Sequence, residues 1–363
     1  MPRGLAKVGQ GRAMAPVKIE AVIRDTHRMA EGPVWEGQAA GLLYVDITAG
    51  KVCRWDPASG EVQTVRLGEW ARGGMGAGKD RPGKQVRLRC AGGRPVGCVA
   101  LHQPGSYAVA AGTCLGILSW GAQRVQWVAQ VDTDKPHNRF NDGKVDPAGR
   151  FVAGTMPEEV APGVWEPGQG SLYTLCANRA VSRQLCGLGI PNGLDWSRDG
   201  RTFYHVDSLA RCVRAYDYHV ATGELAAPRL VFQLPAEQGM PDGMCVDAEG
   251  KLWVACIDGG RVLRLDPETG TRLCTVEMPV SRVTSCCFGG PHYSDLYVTS
   301  ASDGLSPEQR LREPQAGQVF KVRLRGPSAG RGRARGGGSW GPTGRGGCVP
   351  GVSQPSVPVK AGV

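Results

Sequence analysis

The feature that most constrains the fold is a motif that returns at wide, regular intervals. Each copy places an oxygen-bearing side chain and a glycine at the mouth of a segment that alternates apolar and polar residues, and a tight turn follows. The fullest copy is His137 to Met156, HNRFNDGKVDPAGRFVAGTM, which opens with Arg139-Phe140-Asn141-Asp142-Gly143 and turns at Asp146-Pro147-Ala148-Gly149. Pro191-Asn192-Gly193-Leu194-Asp195-Trp196 repeats it before a turn at Asp199-Gly200, and Pro241-Asp242-Gly243-Met244-Cys245-Val246 before one at Glu249-Gly250. Glu31-Gly32-Pro33-Val34-Trp35 is an earlier variant. Period-two alternation bounded by Gly, Pro, Asn and Asp reads as short strands joined by turns, and no helical period is sustained anywhere.

The units start near Glu31, Gly97, Asn141, Asn192, Asp242 and Ser285. Once an insert at 67–95 is set aside, the spacing is about 40 to 50 residues, the period of four-stranded propeller blades. The reading is therefore all-β, a six-bladed β-propeller. A β-sandwich is the competing all-β fold, but it does not explain the repetition. The last unit holds three patterned strands, which leaves an edge open, and residues 17–23, VKIEAVI, are expected to fill it and close the ring. The propeller is expected to span 15–322. The extension 1–14, the insert 67–95 and the tail 323–363 are expected to be disordered, because Gly/Arg-rich sequence without an apolar pattern cannot bury enough surface to order itself.

The net charge of +10 could point to nucleic acid, so its location matters. The basic excess lies in residues 1–12, 66–94 and 323–363, and the remainder is net acidic. The repeats thus carry no nucleic-acid footprint, although an Arg/Gly tail could bind RNA weakly. No apolar run is long enough to span a membrane, the first residues lack a signal-peptide core, and there is no Asn-x-Ser/Thr site; a cytoplasmic monomer is the expectation. Thirteen scattered cysteines without a Cys-x-x-Cys indicate neither a disulfide framework nor a zinc knuckle, and they are read as reduced core thiols. His137 and His205 stand near strand ends and are read as structural or surface residues. Trp35, Trp55, Trp196 and Trp253 are read as core fillers.

In a propeller the first strand of each blade lines the central channel, so residues at equivalent strand starts converge. Glu31, Asn141, Asn192 and Asp242 would then offer carboxylate and amide oxygens at one channel mouth. Such hard donors suit calcium, magnesium or manganese, and zinc also accepts carboxylates. Asn-Asp-Gly, Asn-Gly and Asp-Gly are also ordinary turn pairs. Against that, each unit already has its own inner turn in DPASG, DPAG, SRDG, DAEG or DPETG, so the strand-start residues are extra.

The strings RFNDGKVDPAGR, AGTM, NGLDWS, PDGMC, DAEGKLWVAC and TSCCFGG resemble the gluconolactonase family over about residues 15 to 66 and 96 to 322. The resemblance implies a six-bladed propeller with one divalent metal ion in its channel, hydrolysing aldonolactones such as D-glucono-1,5-lactone. It further implies Glu31, Asn192 and Asp242 as metal ligands, and Arg139, Asn141 and Glu159 as contacts to a small sugar lactone. The insert and the Gly/Arg-rich ending depart from the family pattern outside these positions.

Asp242 is the candidate catalytic base, since a carboxylate at the metal can accept the proton of an attacking water. No Gly-x-Ser-x-Gly elbow or His-Glu-x-x-His motif supports other hydrolase chemistries. The alternative is a non-catalytic calcium-binding regulatory protein using the same oxygens. No EF-hand loop is present, and such a protein would not need Arg139 and Asn141.

Overall fold

A computed structural model of the chain describes residues 18–67 and 94–324. Within them β1 (Lys18–Ile23) precedes six runs of strands. The first blade is β2 (Ala30–Glu36), β3 (Gly41–Asp46), β4 (Lys51–Trp55) and β5 (Val62–Arg66). The second is β6 (Val96–Gln103), β7 (Ser106–Ala111), β8 (Cys114–Ser119) and β9 (Arg124–Gln130). The third is β10 (Asn138–Val145), β11 (Phe151–Pro157), β12 (Gly170–Leu175) and β13 (Val181–Leu188). The fourth is β14 (Pro191–Trp196), β15 (Thr202–Asp207), β16 (Cys212–Tyr218) and β17 (Leu225–Gln233). The fifth is β18 (Met240–Val246), β19 (Leu252–Ile257), β20 (Arg261–Leu265) and β21 (Arg272–Glu277). The sixth holds β22 (Val283–Gly289), β23 (Asp295–Ser300) and β24 (Val319–Arg323), with the short helix α1 (Pro307–Arg312) between the last two.

Each blade is a four-stranded antiparallel meander, and the sixth takes its outer strand from the start of the chain, in the order β22-β23-β24-β1. Lys18 pairs with Arg323 and Ile19 with Val322, so the ring closes as expected for VKIEAVI. The six first strands β2, β6, β10, β14, β18 and β22 each touch their two neighbours around the channel.

Blade faces are apolar and meet as wedges, giving one hydrophobic cluster per interface. Blades one and two share Leu43, Val45, Val99 and Tyr107, and blades three and four share Val152, Leu172, Trp196 and Phe203. The junction of blades five and six is filled by Trp253, Phe288 and Phe320, against which Ile19 and Ala21 of β1 pack. Trp196 and Trp253 are fully buried, and Trp35 stacks on Tyr297 at 5.3 Å across the first and last blades. Burying side chains of this size contributes about 1.5–3 kcal/mol each.

The inner-turn aspartates keep their carboxylates at home. Asp146 Oδ1 accepts hydrogen bonds from the Ala148 and Arg150 amides at 2.8 Å each, and Asp247 Oδ1 from those of Glu249 and Lys251 at 2.8 and 2.9 Å. Among the described residues, nine cysteines are free and seven of those are buried, but Cys114 and Cys176 are each disulfide-bonded, so the all-thiol expectation fails there. Two bonded positions on separate blades leave no spacing pattern for a sequence reading to find. No helix among the described residues is long and apolar enough to cross a membrane. The expectations for 1–14 and for most of 67–95 and 323–363 fall outside the described residues.

Candidate active site

Every first strand is interrupted where the motif falls. Pairing to the second strand slips between Glu31 and Val34, Val96 and Cys98, Phe140 and Gly143, Pro191 and Leu194, Pro241 and Met244, and Val283 and Ser285. A bulge of this kind takes residues out of the ladder and re-aims their side chains. Asn141, Asn192 and Asp242 lie inside the unpaired steps, and Glu31 stands at the edge of its own. The Asn-Gly and Asp-Gly pairs are thus bulges rather than hairpin turns, and their glycines serve close packing. A Cβ on Gly193 would stand 2.6 Å from the Asp242 carbonyl oxygen, and one on Gly243 would stand 2.7 Å from the Ser285 Cα.

These bulges bring Glu31, Asn141, Asn192 and Asp242 together, all buried at 4–7% exposure. The Glu31 and Asp242 carboxyl groups lie close enough to share a proton, and Asn192 reaches Asp242. Burial pushes both carboxyls well up; Asp242 and Asp142 push Glu31 further, and Asp142 does the same to Asp242. Glu31 Oε2 accepts the Gly32 amide at 2.8 Å. The amide of Asn192 donates to Ser208 Oγ at 3.2 Å, and Ser208 in turn donates to the Pro241 carbonyl at 2.6 Å. That leaves Asn192 Oδ1 and Asp242 Oδ1 buried without a hydrogen-bond partner.

Buried polar oxygens are ordinarily satisfied, so two orphans beside a second buried carboxyl form a cradle that a hard cation fits. Among the described residues no group of three or more His, Cys, Asp or Glu side chains could hold a metal. A cation seated there would need the Asn192 amide oxygen as its third protein donor.

Arg139, half-buried at the start of β10, donates through Nη1 to Asn141 Oδ1 at 2.9 Å and to the Phe140 carbonyl at 3.0 Å. Asn141 donates onward to the Pro191 carbonyl at 3.1 Å, tying blade three to blade four. Burial pushes the Arg139 guanidinium down, while Glu158, Glu31, Glu159 and Asp242 hold it up. All six candidate residues therefore gather at one mouth of the channel. Glu159 is exposed on the loop after β11, and its neighbour Glu158 acts on Arg139 more strongly.

Sequence reasoning missed three neighbours. Glu158 sits in the same Pro-Glu-Glu string and could have been included. Asp142 follows Asn141 in the motif, and burial pushes it up to about 6. Ser208 carried no signal, because its role depends on a contact between blades four and five.

A cavity of about 310 Å³ adjoins these oxygens, lined among others by Trp35, Asp142, Lys144, Cys245 and Tyr293. None of the six candidate residues lines it.

The family described as SMP-30/Gluconolactonase/LRE-like region matches residues 29–302. Regucalcin of Gallus gallus is 52% identical over 309 residues, covering 85% of this chain and 95% of the relative. Among solved structures, a luciferin-regenerating enzyme superposes with a TM-score of 0.74 at 28% identity, covering 88% of this chain and 97% of that one. The calcium-binding protein regucalcin from Agrobacterium tumefaciens superposes with a TM-score of 0.74 at 24% identity, covering 88% and 96%.

Proposed function

Because the chain belongs to the SMP-30/gluconolactonase/LRE-like family, we propose that it hydrolyses aldonolactones such as D-glucono-1,5-lactone, with a divalent cation held at the channel mouth. The observation that carries this reading is the pair of buried, unpartnered oxygens on Asn192 and Asp242 beside the Glu31 carboxyl. Those three side chains would hold the ion, whether calcium, zinc, manganese or magnesium. When bound, such a cation supplies Lewis-acid polarisation of a carbonyl oxygen and acidifies water.

The chain's own groups supply the remainder. Arg139 and Asn141, already hydrogen-bonded to one another, form a polar wall that can receive sugar hydroxyls and orient the ring. Glu159 reaches the same mouth from its loop and contacts the sugar at the rim. Asp242 accepts the proton of the water that attacks the lactone carbonyl carbon; the ring C–O bond then breaks, and the leaving alkoxide takes up a proton to give the hydroxy acid. Asp242 can serve as base only while ionised. Burial and Asp142 oppose that, whereas the Glu31 hydrogen bond, Arg282 and the Asn192 hydrogen bond favour it, and a bound cation would favour it further.

The test is turnover of D-glucono-1,5-lactone before and after exhaustive chelation, with add-back of each ion. Activity should collapse on chelation and return with at least one metal; undiminished turnover by metal-free protein would sink the proposal. A calcium-binding regulator without catalysis is the second reading, supported by the 52% identity to a relative named regucalcin. Only two of its three donors would be carboxylates, which implies weak calcium binding. Saturable calcium binding without lactone turnover under any metal would favour it.

A further inference from the structure

Three cysteines that lactone chemistry does not use stand on the wall of the cavity that adjoins the oxygens. Cys245 of β18 and Cys286 of β22 face one another across the junction of blades five and six, with Sγ atoms 3.7 Å apart. Both are buried, at 5% and 2% exposure, and with Cys287 they line the 310 Å³ cavity. The two strands run very close together here, since a Cβ on Gly243 would fall 2.7 Å from the Ser285 Cα. A disulfide needs Cα atoms roughly 4.4–6.8 Å apart and sulfurs about 2.05 Å apart. Closing the pair must bring the sulfurs in from 3.7 Å and give up the hydrogen bond from the Cys286 thiol to the Trp253 carbonyl at 3.4 Å.

We propose that Cys245 and Cys286 form an oxidisable dithiol, closed into a disulfide between blades five and six by hydrogen peroxide entering the channel cavity. Cys245 gives up its proton and attacks a peroxide oxygen. An S–O bond forms, the O–O bond breaks, and the departing hydroxide leaves as water with that proton. Cys286 sulfur then attacks the sulfenic sulfur, the S–S bond forms, and the hydroxyl leaves as a second water. Two thiols lose two electrons and two protons, and one peroxide gains them.

The nearest cation is Lys144, whose ammonium is already paired with Asp195 at 3.1 Å and bonded to the Met244 carbonyl at 3.2 Å. It draws the Cys245 thiol down, while burial, the Cys286 neighbour and Asp195 hold that thiol well above the ordinary range. Oxidation is therefore slow near neutral pH and quickens as pH rises.

The experiment treats the full chain, carrying Cys186→Ser to remove the one exposed free thiol among the described residues, with hydrogen peroxide. Free thiols are blocked, the protein is digested without reductant, and the linkages are mapped by mass spectrometry. The expected result is a peptide pair joining Cys245 to Cys286, two hydrogen masses lighter than its parts, absent before treatment and removed by dithiothreitol. It should accumulate about tenfold faster for each unit of pH below the thiol's own range, as thiolate chemistry requires. In Cys286→Ser the linkage should vanish and Cys245 should stop at a sulfenic acid that dimedone traps.

Both thiols remaining fully alkylatable after peroxide, or either one linking elsewhere, overturns the proposal. The mapping decides on a chain with both cysteines intact, so a serine variant that fails to fold leaves it falsifiable. No lactone turnover enters the readout.

Discussion

His205 makes the stability of this propeller depend on pH in a way that can be isolated. It lies on β15 at 1% exposure, and neither ring nitrogen has a hydrogen-bond partner. The ring stacks on Phe203 with centroids 5.9 Å apart. Burial pushes its pKa from the ordinary 6.5 down to about 4, with Asp207 pulling weakly the other way. The unfolded chain therefore binds a proton at His205 that the folded chain refuses, between about pH 6.5 and pH 4. Stability is full above that window and falls as pH drops through it. A difference of roughly 2.5 units corresponds to about 3 kcal/mol.

The buried carboxyls Glu31, Asp142 and Asp242, which are pushed up, act in the opposite direction over part of the same range, so the raw pH curve mixes the two. The clean quantity is the difference between the parent and His205→Leu, measured by urea unfolding at about pH 7.5 and pH 4.5. The parent should lose about 2–3 kcal/mol relative to the variant between those conditions. A difference that does not change with pH would mean that His205 is solvated or protonated in the folded state, and the reasoning would fail.

Arg139→Ala should lower kcat/KM for gluconolactone by about tenfold to a hundredfold through lost orientation, while metal affinity by calorimetry stays unchanged; equal loss of both would mark Arg139 as structural. Gly243→Ala places a methyl 1.9 Å from Ser285 Oγ and should cost about 1–3 kcal/mol in thermal or urea unfolding, whereas an unchanged midpoint would show that the two inner strands can part freely. Removing the chain through Ile23 strips the outer strand from the sixth blade and exposes the β24 edge, so aggregation monitored by light scattering should rise. A monodisperse truncation would contradict the closure.

The ring was legible because its signal is repeated. Alternating strands and turn pairs at one period leave few architectures, and Ile19 and Val322 pair where the patterned strands ran out. The candidate oxygens were legible only as extras beyond each unit's inner turn. Asn-Gly and Asp-Gly carry the same local preference whether they end a hairpin or break a ladder, so the bulges could not be told from turns. Beyond the convergence of those oxygens, side-chain contacts between blades were not legible. The Ser208 bridge and the Cys245–Cys286 approach depend on distances that span a repeat. Burial of His205 with no partner is likewise a tertiary outcome that alternation does not encode. The α1 cap was readable and passed over: Ser306 and Gln309 form a reciprocal capping box, with bonds of 3.2 and 2.8 Å.

The six bulges look equivalent, yet the sectors they govern are not. In the second blade the bulge residue is Gly97, and a Cβ there would strike the Phe140 carbonyl oxygen at 2.4 Å. In the sixth it is Thr284, whose hydroxyl is already committed to the Ala30 carbonyl at 2.6 Å. Donors can therefore come only from blades one, three, four and five, and the second blade cannot acquire one without pushing its neighbour aside. A sixfold scaffold is thereby made directional. The arc beside Gly97 stays bare, and anything arriving down the axis meets a crescent of oxygens rather than a closed collar.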